Sequence, residues 1–475
     1  MKEAVWDLKS QPGDYNSNIF DCMVAEFLLC DGRYTPTEER AFAEYKVTSL
    51  EDLAKLQQEK LKENPKLLQL FSDIEMPLVY ILSKMERNGI LLDTVKLRKV
   101  GQEIESAIVK VEEKIKKEVE FDINLNSSVQ VGNYLAEKVG VPLSKTKTGR
   151  YATNETEISK FANQFSIVAD LLSYRELSKL RSTYVESLID KVDESGRVHT
   201  SYNQVAVSTG RLSSSNPNMQ NIPVTSDFGQ KIKSCFVAEK DHIFLSFDYS
   251  QQELRILAHL TGEEKLIEAF QTSRDVHKIT AGQIFQVPYE EVTKEQRTVG
   301  KTINFGIIYG MSSYGLSVSL SIPVDEAQGF IDTFYATYPK IQTYYENYLK
   351  NARVHGFVET MLGRRRYVFE YPQQKAIDNS TRRVLMNYPI QGSAADLMKK
   401  AMVDVDLQIL SKEKDVKLLL QIHDDLVFEV SNDPKIYEVL IEKIRKVMCE
   451  VYPLSVPIEV DVKIGENWGE MEKIA

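Results

Sequence analysis

Sulfur is scarce: there are 4 cysteines in 475 residues, with no paired spacing, which argues against a zinc ribbon or a disulfide framework. They read as reduced packing thiols of an intracellular protein. Long hydrophobic runs are missing as well. No apolar stretch approaches membrane-spanning length, and Met1 is not followed by a signal-like segment. Positive charge is in deficit, with a net charge of −10, which at first sight argues against a nucleic-acid partner. Local patches rather than the total govern phosphate binding, however. Basic clusters occur at Lys145–Arg150, Arg364–Arg366 and Arg382-Arg383, each of which alone reads more readily as solvated surface than as a DNA contact. The remaining composition is that of an ordinary globular protein, long enough for a large core split among several domains.

Ile243–Phe247 is an apolar run short enough for a buried strand. Asp248 stands where that strand would end. Ser250 and Glu253 then have capping-box spacing, which predicts a helix opening there and carrying LRILAHL. A carboxylate at a strand end, followed at once by a helix N-terminus, can hold a metal and a phosphate. Taken alone, such an aspartate is more often a turn former.

Far along the chain, Lys417–Val430 (KLLLQIHDDLVFEV) predicts a β-hairpin with His423-Asp424-Asp425 at its tip. Asp-Asp suits an ordinary turn, although the usual Gly is absent. Adjacent like charges between apolar strands repel, and a bound cation would remove that cost. If Asp424 lies beside Asp248, the pair can hold two Mg²⁺ ions about 3.5–4 Å apart, as in-line phosphoryl transfer uses them.

Other spacings are suggestive without being decisive. Arg297, Lys301 and Phe305 share one helical stripe, with Tyr309 a turn further along. Like charges four apart cost helix stability, so an anionic ligand is expected there. Gly300-Lys301-Thr302 hints at a phosphate loop, but Glu295 stands where that pattern requires Gly. Arg383, Asn387 and Gln391 repeat every four residues, which a plain polar helix face explains, and Pro389 predicts a disturbance between the last two. Gly196–Pro223 is dense in Ser, Asn, Gly and Pro. It suits a surface loop, or a minor-groove surface in which Arg211, Asn218 and Gln220 contact acceptors common to all base pairs.

Together these segments become recognisable. DYSQQELR, RTVGKTINFGIIYG (Arg297–Gly310) and QIHDDLVFEV resemble motifs A, B and C of family A DNA polymerases, the bacterial DNA polymerase I type. STGRLSSSNPNMQNIP and NYPIQGSAAD match as well, in the family's order, and the resemblance runs from about Asp73 to Trp468. An ordered set of motifs is far more specific than any single short pattern.

The resemblance implies roles. Asp248, Asp424 and the Tyr249 main chain would hold metal, with Asp425 beside them where the family commonly has Glu. Arg297 and Lys301 would hold the β- and γ-phosphates, His277 would also reach the phosphates, Phe305 would meet the sugar, and Tyr309 would stack near the template base. Glu253 would gate the sugar, next to Gln252 where the family commonly has Ile. Arg211 would lie near the primer terminus, with Asn218, Gln220, Arg383, Asn387, Gln391 and His423 also contacting DNA.

The implied fold is α+β and multidomain, a right hand with a palm sheet, helical fingers and thumb. The expected divisions are 1–72 for an exonuclease-like remnant, 73–195 for the thumb with connecting helices, 196–255 and 388–475 for the palm, and 256–387 for the fingers. In the remnant, Asp21 resembles a metal ligand of the family's 3′–5′ exonuclease. The opening acidic pair would lie before Met1, and Arg40 and Glu44 stand where the third motif has Tyr and Asp. A two-metal nuclease without most of its carboxylates cannot hold its ions, so proofreading is expected to be absent. In the thumb, Asp73–Asp93 reads as a helix stopped at Asn88-Gly89, and Thr94–Val119 as a long amphipathic helix. The stretch VPIEVDVKIGENWGEM alternates like a strand that closes the palm.

The implied activity is template-directed DNA synthesis in replication or repair, with two Mg²⁺ as cofactors and primer–template DNA and deoxynucleoside triphosphates as partners. A monomer in the cytoplasm, associated with the nucleoid and not with membrane, is expected. A single-subunit RNA polymerase shares the palm arrangement, but Glu253 and Phe305 favour deoxyribose. A non-catalytic DNA-binding module would have no need of the complete acidic and cationic set.

Overall fold

The computed structural model describes residues 3–11, 18–119, 123–223, 226–368 and 378–474. Its centre is an antiparallel sheet built from β1 (His242–Tyr249), β2 (Val416–Ile422), β3 (Asp425–Ser431), β4 (Val460–Gly465) and β5 (Glu472–Ile474). The spatial order is β2-β3-β1-β4-β5, so β1 lies in the middle with the hairpin on one side and the C-terminal strands on the other. Strand alternation sends the side chains of β1 to two different places. Ile243, Leu245, Phe247 and Tyr249 enter one core, where Phe247 meets Phe428 edge-on at 5.5 Å. Phe244 faces the other way, in a second core with Phe236 and Trp468, and Ser246 and Asp248 follow it along the same face.

Helices flank this sheet. Helix α1 (Met76–Asn88) stops at Gly89, whose φ of +56° suits glycine and whose Cβ would lie 2.6 Å from the His199 ring. Helix α2 (Thr94–Glu118) begins where Asp93 accepts the Lys96 N–H at 2.8 Å. It buries Leu97, Val100, Ile104, Ile108 and Ile115 along one stripe, in the core it shares with the helix Ser166–Lys179. Helix α3 (Gln252–Thr261) follows β1 directly, and α4 (Lys294–Ile308) opens with a true capping box between Thr293 and Gln296. Helices α5 (Asn379–Val405) and α6 (Pro434–Cys449) back the Leu245–Phe247 face of the sheet.

The helical insertion and the sheet share one continuous core, in which Leu254, Ile303, Phe334, Leu397 and Phe428 belong together. The N-terminal segment has a core of its own around Phe20, Val24, Leu53 and Phe71. Among the described residues no helix is long and apolar enough to cross a membrane.

Two local expectations are overturned. The capping box at Ser250 and Glu253 does not form: the N-cap falls one residue later, at Gln251, which sits in the left-handed region at φ +52°. The Ser250 N–H donates instead to the Glu459 carbonyl, and the Glu253 carboxylate is drawn to Arg211 and Tyr309. A carbonyl just before β4 and a guanidinium outcompete the local cap. Pro389 likewise fails to interrupt its helix, since α5 runs through it unbroken. One lost main-chain bond is offset by the packing of Leu385, Tyr388, Ile390 and Ala394 on both sides of it.

Candidate active site

The β2–β3 hairpin brings the late aspartates to the early one. His423 and Asp424 form its two-residue turn, His423 taking φ +54° in place of a glycine. Asp425 is the first residue of β3 and pairs directly with Asp248, while the Tyr249 N–H donates to the Asp424 carbonyl at 3.0 Å. On the opposite side, Asp461 of β4 also pairs with Asp248. Strand alternation in 460–465 was visible in the sequence, but the register that aligns Asp461 with Asp248 was not.

Burial pushes Asp248 up to about 7, with Asp425 and Asp424 adding to the rise and Lys463 opposing it. Asp424 is raised by burial too, partly offset by Arg211 and His423. Asp425 is raised by burial, against a hydrogen bond from the Ser246 hydroxyl at 2.7 Å. Carboxylates that destabilise one another's charge are what a divalent cation relieves, so this donor set fits a metal. Among the described residues no three His, Cys, Asp or Glu side chains converge on one point. An ion held by Asp248 and Asp424 would therefore complete its shell with main-chain oxygen, such as that of Tyr249, and with water or substrate.

Glu253 is buried beside this cluster and accepts two hydrogen bonds, from the Arg211 guanidinium at 2.6 Å and from the Tyr309 hydroxyl at 2.8 Å. Arg211, Gln220, His423 and Asp424 line one small cavity. Gln220 donates to the Gln421 carbonyl at 3.2 Å, and Asn218 accepts the Gln220 N–H at 3.0 Å, so both are partly occupied in holding their loop. Gln252 is buried with neither amide atom hydrogen-bonded.

On α4 the predicted stripe is real. Arg297 is paired with Asp275 at 2.6 Å, Lys301 is exposed, and Phe305 and Tyr309 stack with ring centres 6.3 Å apart. His277 sits beneath Phe305, and burial lowers its pKa to about 4, so it is neutral near pH 7. The Thr280 hydroxyl donates to Asn304 Oδ1 at 2.9 Å, which turns the Asn304 amide N–H toward His277 Nδ1, also at 2.9 Å. Nδ1 thus accepts, and the imidazole hydrogen resides on Nε2. No spacing rule pointed to Thr280 and Asn304.

Arg383, Asn387 and Gln391 share a face of α5, where Arg383 packs against Gly310 at the end of the α4 segment and Asn387 Oδ1 is buried without a partner. Arg255, which the motif reading passed over, ties the turn after Asp248: its Nε donates to the Ser250 carbonyl at 2.8 Å and its guanidinium pairs with Glu459 at 2.6 Å. In the N-terminal segment, Asp21 caps the helix Cys22–Leu29 by accepting the Val24 N–H at 3.0 Å and also accepts the Leu8 N–H at 2.8 Å.

A sheet with clustered carboxylates, a helical insertion presenting cations and aromatics, and a helical arm make up the palm, fingers and thumb of a polymerase fold. The chain belongs to DNA polymerase family A, whose sequence profile matches residues 94–470. It is 43% identical over 413 residues to the thermostable DNA polymerase I of Thermus aquaticus, an alignment covering 86% of this chain and 49% of that protein. Against DNA polymerase I of Bacillus subtilis the identity is 39% over 469 residues, covering 97% of this chain and 53% of the relative. The chain therefore spans about half the length of the curated relatives it matches. Among solved structures, the polymerase domain of Pol1 from M. smegmatis, in complex with DNA primer-template and dNTP, superposes with a TM-score of 0.88 at 34% identity, covering 94% of this chain and 82% of that one.

Proposed function

We propose that this chain is a template-directed DNA polymerase that adds deoxynucleotides to a primer 3′-OH and releases pyrophosphate. The observation that carries the reading is the meeting of Asp248 and Asp424 at one end of the sheet, beside a Glu253 held by Arg211 and Tyr309. The partners are primer–template DNA and a deoxynucleoside triphosphate, as in the M. smegmatis complex. Family A polymerases use divalent metal ions, and the proposal here is two Mg²⁺ held by Asp248, Asp424 and the Tyr249 main chain. Held there, such ions would supply a lowered pKa at the 3′-OH and charge neutralisation at the triphosphate.

The chain's own residues do the rest. Lys301 and Arg297 bind the β- and γ-phosphates, His277 Nε2–H donates to them, and Phe305 packs on the sugar. Tyr309 and Glu253 close the space a ribose 2′-OH would need. Arg211, Asn218, Gln220 and His423 hold the primer end, and Arg383, Asn387 and Gln391 hold the template. The divisions at 72, 195, 255 and 387, a monomeric state and action at the nucleoid belong to the same proposal. Asp248→Ala or Asp424→Ala is expected to abolish primer extension while duplex binding persists, since each removes a metal ligand. Asp425→Ala, whose carboxylate is turned to Ser246, is expected to do less damage. Normal extension by either of the first two variants would remove the assignment.

A further inference from the structure

Beneath the Arg211 loop lies a cluster of four charges that the proposed reaction does not use. Arg364 and Lys399 both meet the Glu75 carboxylate, Lys399 at 2.8 Å, and Arg364 also meets Asp396 at 2.7 Å. All four side chains are at most 2% exposed. They come from distant parts of the chain: Glu75 just before α1, Arg364 in the turn between two short strands, and Asp396 and Lys399 from α5. Thr360 donates to Asp396 at 2.7 Å, and Gln204 donates to Glu75 at 2.8 Å. Burying matched charges costs much of what their attraction returns, and well-packed apolar side chains hold a core as firmly. Stability by itself therefore does not account for the cluster.

Geometry relates it to Arg211. Gly210, the residue before Arg211, has φ +80°, and a Cβ there would lie 2.5 Å from Arg364 Nε, so the loop rests on the guanidinium. Ser208 is hydrogen-bonded by Arg366, two residues beyond Arg364. Gly392, next to Gln391, leaves room for Thr360 and for the Thr209 carbonyl, which a Cβ would meet at 2.6 and 3.5 Å. Lys399, at the other end of the cluster, lines the cavity of about 30 Å³ that also holds Arg211, His423 and Asp424.

We propose that the Glu75–Arg364–Asp396–Lys399 cluster is a positioning element that fixes the 208–211 loop, and with it the Arg211 guanidinium, against the primer end of the site. This rests on the polymerase reading of Arg211. Rigid partners on three sides select one loop conformation, whereas an apolar floor would let the loop slide. At no more than 2% exposed, Arg364 and its partners offer little surface to nucleotide or DNA; they act through Arg211.

The test is a cycle in primer extension combining Glu75→Gln/Arg364→Met, which removes one charge of each sign, with Arg211→Ala. The thermal midpoint of each variant reports folding. The expected result is a Glu75→Gln/Arg364→Met protein that stays folded, loses kcat to the same degree as Arg211→Ala with little change in nucleotide KM, and loses nothing further when Arg211→Ala is added. Losses that multiply, or wild-type kcat in the folded pair variant, overturn the inference. If the pair variant does not fold, Gly210→Ala, which displaces Arg364 without removing a charge, takes its place in the same cycle with the same two outcomes. Wild-type kcat for Arg211→Ala by itself overturns the reading of Arg211 and the inference with it. A slow Arg211→Ala beside a fast pair variant overturns the positioning role alone.

Discussion

Glu253 shows how much one side chain's partners decide. Its carboxylate is shared between Arg211 and Tyr309, and burial raises its pKa against those two hydrogen bonds. Because Ser250 makes no cap, Ser250→Ala is expected to cost less than the roughly 0.5–2 kcal/mol that losing a real N-cap costs, as urea unfolding would measure. Glu253→Ala is expected to raise ribonucleotide use relative to deoxyribonucleotide by on the order of tenfold or more, the scale on which steric pockets discriminate. The ratio of kcat/KM for the two sugars is the measurement, and an unchanged ratio would leave Glu253 a purely structural group. His277 supplies a second residue-scale outcome. Its pKa falls to about 4 from an ordinary 6.5 because burial disfavours the imidazolium. Between those values the unfolded chain binds a proton that the folded chain does not. Stability present above pH 6.5 is therefore lost as pH falls toward 4, by roughly 2–3 kcal/mol. Denaturant titrations of wild type and His277→Gln over that window should show the slope shrinking in the variant.

At the scale of elements, α4 works only if it lies close to the helix Val276–Phe285. Gly300 makes that approach possible, since a Cβ there would lie 2.3 Å from the His277 carbonyl oxygen. Gly300→Ala is expected to push the helices apart at a cost of about 1–3 kcal/mol, the usual range for overpacking. Because Arg297, Lys301 and Phe305 ride on α4, the nucleotide KM should rise as well. A variant with lowered thermal midpoint and unchanged KM would uncouple the helix's position from nucleotide binding. The β2–β3 hairpin shows the same dependence in a sheet: a slip of one residue would turn Asp425 away from Asp248 and bury a charge in the Phe247 core.

For the whole molecule, the N-terminal segment reads as packing rather than as a second active site. Both Asp21 oxygens accept main-chain N–H groups, and burial raises its carboxyl to about 7. Arg40 lies over the Tyr34 ring at 3.6 Å, where the resemblance would have put a tyrosine of the nuclease. A labelled primer with a mismatched 3′ end, incubated with Mg²⁺ and no nucleotides, is therefore expected to stay at full length. Stepwise shortening that Asp21→Ala abolishes would make the segment a working nuclease.

The sequence by itself determined the family, the strand bearing Asp248, the hairpin bearing Asp424, the helical stripe from Arg297 to Tyr309 and the stop at Gly89. Each of these is written in local periodicity, turn chemistry or motif spacing, which need no distant partner to be read. Tertiary structure alone decided the fate of Ser250, whose N–H went to the Glu459 carbonyl just before β4, and of Pro389, whose helix stays unbroken where its flanks pack into the core shared with the sheet. It also decided the alignment of Asp461 with Asp248, the tautomer of His277 through Asn304, and the joining of Glu75 to Arg364. Those outcomes depend on groups tens to hundreds of residues apart, and the energy of a buried hydrogen bond or ion pair is set by the partner that folding brings to it, which no local pattern encodes.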